Sequence, residues 1–163
     1  MGAASSPRVR IEAGDFDVSA EIASLHDDDA GIGAVVTFVG TVRGNTAGAA
    51  ISALELEHYP GMTEKAIESM IDAALTRFAV RGARVVHRVG PLLPGEQIVL
   101  VAVTAAHRGL AFQACEFLID YLKTQAPFWK KEHTPEGAHW VDAREADDAA
   151  LARWGVASGN AGG

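Results

Sequence analysis

Lys123, Lys130 and Lys131 fall within the thirteen residues Asp120–Glu132, DYLKTQAPFWKKE. The chain has four lysines in all, against ten arginines spread along its length. Arginine stays charged under all ordinary conditions, whereas a partly buried lysine amine can give up its proton. A chain that favours arginine but turns to lysine in one window has a use for a compact, tunable charge: acid–base work, or the holding of an anion. The same window carries Pro127 and the pair Phe128-Trp129, unlike a plain solvated face. The plainer reading is a helix end running into an edge strand, with lysines for solubility.

Two further places put cations at the ends of elements. Arg43 stands where an apolar run, IGAVVTFVGTV, gives way to a polar loop. His107-Arg108 stands where a helix begins. Free N–H groups and the macrodipole there favour an anion and disfavour a cation, so the pair is unexpected as mere structure. The histidine adds a donor whose charge is tunable near neutral pH. Arg108 to Lys123 spans sixteen helical residues, which at ~1.5 Å each separates the two ends by roughly 22–24 Å. One helix therefore cannot bring both ends to one small pocket. If all belong to one site, either a large ligand spans both ends or a second copy supplies one of them, as in a symmetric dimer where the lysines of one copy meet Arg43 and His107-Arg108 of its twin.

The totals narrow the classes. A length of 163 residues fits one domain with a sizeable core. A net charge of −7 argues against nucleic-acid or anionic-membrane binding, and makes a local cationic cluster point to a small anion or an acidic segment. The single cysteine, Cys115, makes neither an internal disulfide nor a zinc site, and its apolar helical setting reads as a buried structural thiol. The first residues have no apolar leader core, so a reducing cytoplasm is expected. The acidic run Asp27–Asp29 reads as a solvated loop. His58 and His87 read as satisfied core or edge histidines. His133 and His139 lack metal-ligand spacing, and no metal or cofactor is expected.

The elements that must position these groups follow from periodicity. Residues 8–12 alternate as a first strand, and 18–25 form a short helix. Residues 32–42 form a buried strand that pairs with 51–59 as a long hairpin around the loop 43–50. Along 51–59, Leu54, Leu56 and His58 share one face. Thr63 caps a helix whose apolar positions run from Ala66 to Phe78 and which Arg81-Gly82 ends. Strands at 83–89 and 97–104 flank a Pro/Gly loop. A second long helix, 108–123, stops before Pro127. A strand over 128–134, a turn at 135–137, a short return at Trp140-Val141 and a helix over 145–154 complete the order. The class is α+β, two main helices packed on a mixed or antiparallel sheet. A single domain over 8–154 is expected, with flexible tails at 1–7 and 155–163.

Taken in order, VVTFVGTVR, LELEHYPGMTEKA, VVHRVGPLLPGE, VTAAHRG and YLKTQAPFWKKE resemble the large, catalytic subunit of molybdopterin synthase. The resemblance runs from about Gly31 to Trp154, and EHYPGM, AHR and YLK-x3-PFWK are its most specific blocks. It implies an α/β hammerhead fold with a small extra β lobe. It implies transfer of sulfur to cyclic pyranopterin monophosphate, forming the molybdopterin dithiolene. A small ubiquitin-like partner brings the sulfur as a thiocarboxylate on its C-terminal Gly-Gly, and two large subunits form the core of a heterotetramer. It further implies substrate contacts at Thr41, Val42, Arg43, His107, Arg108, Lys123, Lys130, Lys131 and Glu132, with Lys123 and Lys130 as the catalytic pair. Thr41 departs from the basic residue some members carry there, which weakens one anion contact. The terminal Gly162-Gly163 matches the partner's dipeptide, but no ubiquitin-like domain precedes it, so it reads as a coincidental tail. The alternative is a non-catalytic module that docks a ubiquitin-like tail or a small anion.

Overall fold

A computed structural model describes residues 7–141 and 145–155. The expected flexible tails, apart from Pro7 and Gly155, lie outside the described residues, as does Gly162-Gly163.

Four strands form the main sheet. β1 (Val9–Glu12) runs parallel to β6 (Gly82–Arg88), which is antiparallel to β8 (Gln97–Ala105). β8 in turn pairs antiparallel with β2 (Ala34–Thr41) at the edge. The sheet is therefore mixed, as the class predicts. Strand alternation sorts its side chains onto two faces. Val85, Val101 and Val103 pack beneath α2 (Met62–Arg77) and α3 (Arg108–Gln125), meeting Ile67, Ile71, Phe117 and Leu118. Val86 and Leu100 point the other way, onto Phe16 and the start of α1 (Val18–His26). All of these sheet side chains are at most 1% exposed, so the inner strands β6 and β8 are sealed between helices.

α1 is pinned to the sheet by charge as well. Glu21 takes hydrogen bonds from Arg10 and from the buried Arg84, whose Nη1 lies 3.1 Å from Glu21 Oε2. Burial alone would push the Glu21 carboxyl up. The hydrogen bond and charge of Arg10, then those of Arg84, hold it below the usual range. Asp29 is not simply solvated, because it accepts from Arg81 Nε at 2.6 Å and from the Gly31 N–H.

The second sheet follows the order β10–β9–β5–β7, built from Gly137–Val141, Phe128–Thr134, Ala53–His58 and Gly90–Leu92. It corrects the long hairpin expected from residues 32–59. β2 pairs with β8 and β5 with β9 and β7, so the two runs belong to different sheets. Between them the chain makes its own small hairpin, β3 (Asn45–Thr46) with β4 (Ala49–Ala50), whose turn puts Ala47 and Gly48 at positive φ. The second sheet has a small core of its own, Val42, Leu54, Leu56 and Leu92.

The helix starts differ from expectation in one respect. Gly61, not Thr63, caps α2, with φ of 86° that glycine adopts without strain, and Glu64 reaches back to the Gly61 N–H. The helix ends at Arg77, four residues before the expected stop. Thr63 is fully buried and does something else: its hydroxyl accepts from the Tyr59 N–H at 2.9 Å and donates to the Pro127 carbonyl at 3.1 Å. The start of α2 is thereby tied to the turn inside the lysine window. α4 (Glu145–Ala152) closes the structure, with Trp154 edge-on to Phe78 and Phe117 and its indole N–H on Asp120. Among the described residues no helix is long and apolar enough to cross a membrane.

Candidate active site

A cavity of about 800 Å³ opens where the two sheets meet the C-terminal end of α3. Three local devices aim side chains into it. The first is a bulge between β2 and β8: Gly40 pairs with Val99 and Thr41 with Gln97, leaving Ile98 over. Such an irregularity bends the pair and re-aims the residues next to it, here Thr41, Val42 and Arg43, all on the cavity wall. The second is the turn at Pro127. α3 ends at Gln125, and the Phe128 N–H closes back onto the Ala126 carbonyl at 2.8 Å. Lys123 thus ends one element and Lys130 enters the next on the same cavity. The third is the pleat of β9, which turns Lys130 and Glu132 to one side and Lys131 to the other.

Six of the nine expected contact residues line this one cavity: Thr41, Val42, Arg43, Lys123, Lys130 and Glu132. Three do not. Lys131 lies opposite Trp140, its Nζ 5.1 Å from the indole centroid, a cation–π contact on the far face of the sheet. His107 and Arg108 begin α3, at the other end from Lys123. Val42 contributes wall rather than chemistry. Its side chain is core, and its N–H and C=O bond to Glu96 and Gly95. The expectation that Arg43 lies out of reach of the lysines is corrected: a cavity of one protomer holds all three, because the turn after β2 crosses to the second sheet, where β9 runs.

The arginines among the described residues differ in their company. Arg8, Arg10, Arg81, Arg84, Arg88 and Arg153 each pair with a carboxylate, and Arg77 stacks on aromatic rings. Among the described residues, Arg43, Arg108 and Lys123 make no ion pair and no side-chain hydrogen bond. All three are exposed. At the start of α3, His107 is the N-cap without a side-chain cap bond, and the first turn carries no acid, so its N–H groups and dipole meet no anionic side chain. Glu132 accepts from the Thr46 hydroxyl at 3.3 Å, which fastens the β3–β4 hairpin across the cavity.

A titratable lining residue, His87, is not among the site residues expected from the sequence. His87 is 6% exposed, stacked on Phe128 with centroids 3.8 Å apart and planes at 19°, and it lies on the cavity. Its Nδ1 is 2.8 Å from the Arg88 carbonyl. Burial, and then the nearby Lys130 and His58, push its pKa down to about 4. The one signal for it in the sequence is its position: a polar residue continuing a run of buried strand. Cys115 is buried on the sheet-facing side of α3, its thiol pushed up to about 11 by burial, so it supplies no nucleophile.

Fold and cavity together define an α+β protein whose cavity is lined by lysine and arginine, a setting suited to a small anion. A family model described as MoaE protein matches residues 11–125. The chain belongs to that family, the catalytic subunits of molybdopterin synthase. It is 57% identical over 155 residues to the molybdopterin synthase catalytic subunit of Ralstonia nicotianae, covering 95% of this chain and 88% of that one. Its structure resembles the molybdopterin biosynthesis MoaE protein from Burkholderia ambifaria, with TM-score 0.80, 57% identity, and 93% and 99% of the two chains covered. It also resembles the molybdopterin synthase from Staphylococcus aureus, with TM-score 0.77, 31% identity, and 84% and 98% covered.

Proposed function

We propose that this chain transfers sulfur to cyclic pyranopterin monophosphate, forming the molybdopterin dithiolene in the cytoplasm. The sulfur comes from the C-terminal thiocarboxylate of a small ubiquitin-like partner. The observation that carries this reading is the meeting of Arg43, Lys123 and Lys130 on one cavity, with no carboxylate spent on Arg43 or Lys123 among the described residues. Arg43 holds the substrate's phosphate through charge-assisted hydrogen bonds. The partner's tail enters the cavity, its thiocarboxylate sulfur attacks the pterin side chain, and water then cleaves the acyl C–S bond, leaving the sulfur on the pterin and a carboxylate on the partner's tail. Negative charge then grows on oxygen and phosphate as the ring opens. Lys123 meets that charge or delivers a proton, and Lys130 assists and holds the tail's carboxylate. The nucleophile arrives with the partner, which agrees with a chain whose one thiol is buried.

His107 and Arg108 serve the cavity of a second copy. An unpaired arginine at a helix start that holds no acid is suited to an anion brought by another molecule. In a symmetric dimer each α3 then works at both ends, and a small partner at each outer end completes a heterotetramer.

Mixing the purified chain with thiocarboxylated partner and cyclic pyranopterin monophosphate tests the reading. Lys123→Ala should abolish product while the complex with the partner still forms. Lys123→Arg should fail as well if a proton moves, and work in part if only charge matters. Near-normal turnover by Lys123→Ala would count against the assignment, and a wild-type chain that binds the partner yet makes no product leaves a docking module instead.

A further inference from the structure

We propose that the His87 imidazole orients the substrate's heterocycle, accepting on the cavity wall a hydrogen bond from one of its ring N–H or amino groups. The inference rests on the pterin reading above and adds a residue to it. The cavity is rich in donors: Arg43, Lys123, Lys130 and the hydroxyls of Thr41 and Thr46. These suit phosphate and carbonyl oxygens. A pterin also presents N–H groups, and a buried N–H needs an acceptor. Glu132 is one acceptor, and it already receives the Thr46 hydroxyl.

His87 is another, and its geometry fixes which nitrogen accepts. A backbone carbonyl can only accept, so the 2.8 Å contact with the Arg88 oxygen requires the proton on Nδ1. In the neutral ring Nε2 then carries a lone pair. The ring cannot easily swing away, since it lies flat on Phe128 at 3.8 Å and its backbone is paired to Val99 inside the main sheet. Nε2 is not among the sealed polar atoms without a partner, which among the described residues are Thr37 Oγ1 and Arg84 Nε. Burial beside Lys130 and His58 keeps the ring neutral at physiological pH, so the acceptor persists among cations.

Two substitutions separate the ring's two nitrogens. In His87→Asn the amide nitrogen sits near the place of Nδ1 and keeps the tie to the Arg88 carbonyl, while the cavity loses the Nε2 acceptor. In His87→Gln the longer amide puts its oxygen near the place of Nε2. The experiment is calorimetric titration of the full chain with cyclic pyranopterin monophosphate and, separately, with inorganic phosphate, the folded fraction being checked by circular dichroism. His87→Asn should bind the pterin phosphate about ten-fold more weakly and inorganic phosphate unchanged. His87→Gln should stay within about three-fold of wild type. Equal weakening by both variants, or an equal effect on the two ligands, assigns His87 a purely structural role and overturns the inference. So does wild-type affinity in His87→Asn. A wild-type chain that binds inorganic phosphate but not the pterin overturns the pterin reading itself, and the inference with it.

Discussion

Replacing Thr63 by valine should loosen the lysine window from 64 residues away in sequence. The two side chains have nearly the same shape, so the change removes a hydroxyl and little volume. That hydroxyl joins the Tyr59 N–H at 2.9 Å and the Pro127 carbonyl at 3.1 Å, at a residue with no exposed surface. Valine leaves both backbone groups without their partner. An orphaned buried group costs about 1–3 kcal/mol. Tyr59 is an exposed residue, so water can recover part of its loss, and the expected total is roughly 2 kcal/mol. For a chain of this length that lowers the melting temperature by roughly 4–8 °C. Thermal unfolding and urea titration measure it, and hydrogen exchange should show faster exchange at the Phe128 amide, whose bond closes the Pro127 turn. Thr63→Ser is the control: it keeps the hydroxyl, loses a methyl, and should cost about 1 kcal/mol. A valine variant as stable as wild type, or more stable than the serine variant, refutes the reasoning.

Two further outcomes are expected. If α3 of each copy serves two cavities, Lys123→Ala and Arg108→Ala chains are each inactive alone, but mixed dimers regain one intact cavity, so co-refolding the two should restore activity; a mixture as dead as its parents removes the shared site. Stability should also fall on acidification before any carboxylate titrates: His87 has a folded pKa of about 4 against roughly 6.5 unfolded, so the unfolded chain takes up a proton that the folded chain refuses. The contribution is absent above about pH 6.5 and grows as pH drops towards 4, reaching about 2 kcal/mol at pH 5. Urea titrations at about pH 8 and pH 5 should show that difference in wild type and lose it in His87→Asn, and an unchanged difference in the variant sinks it.

The features legible in the sequence are local ones. The two long helices and the strands flanking them follow from the spacing of their own apolar residues. The orientation of Lys131 away from Lys130 follows from the two-residue period of β9. Choice of partner is hidden. The runs 34–41 and 53–58 look like a hairpin because they are close in sequence and alike in pattern. Their paired residues in β8 and β9 lie 56 to 80 positions on, and pattern carries no address. The same blindness places Arg43 too far from the lysines. Gly61 takes the cap from Thr63 because a glycine at positive φ already starts the helix, which leaves the threonine hydroxyl for a long-range bond. His87 looks like any buried strand histidine until the stacking of Phe128 and the cavity beside it are seen.

The cavity lies on a seam, with β2 and β8 from one sheet, β5 and β9 from the other, and α3 between them. A molecule bound there is a removable rivet through all three. Its binding free energy adds to that of folding, by about 2.7 kcal/mol at a hundred times its dissociation constant. On the function proposed above, part of the stability of the working fold is on loan from the substrate, and a cell that makes none should hold a less stable chain.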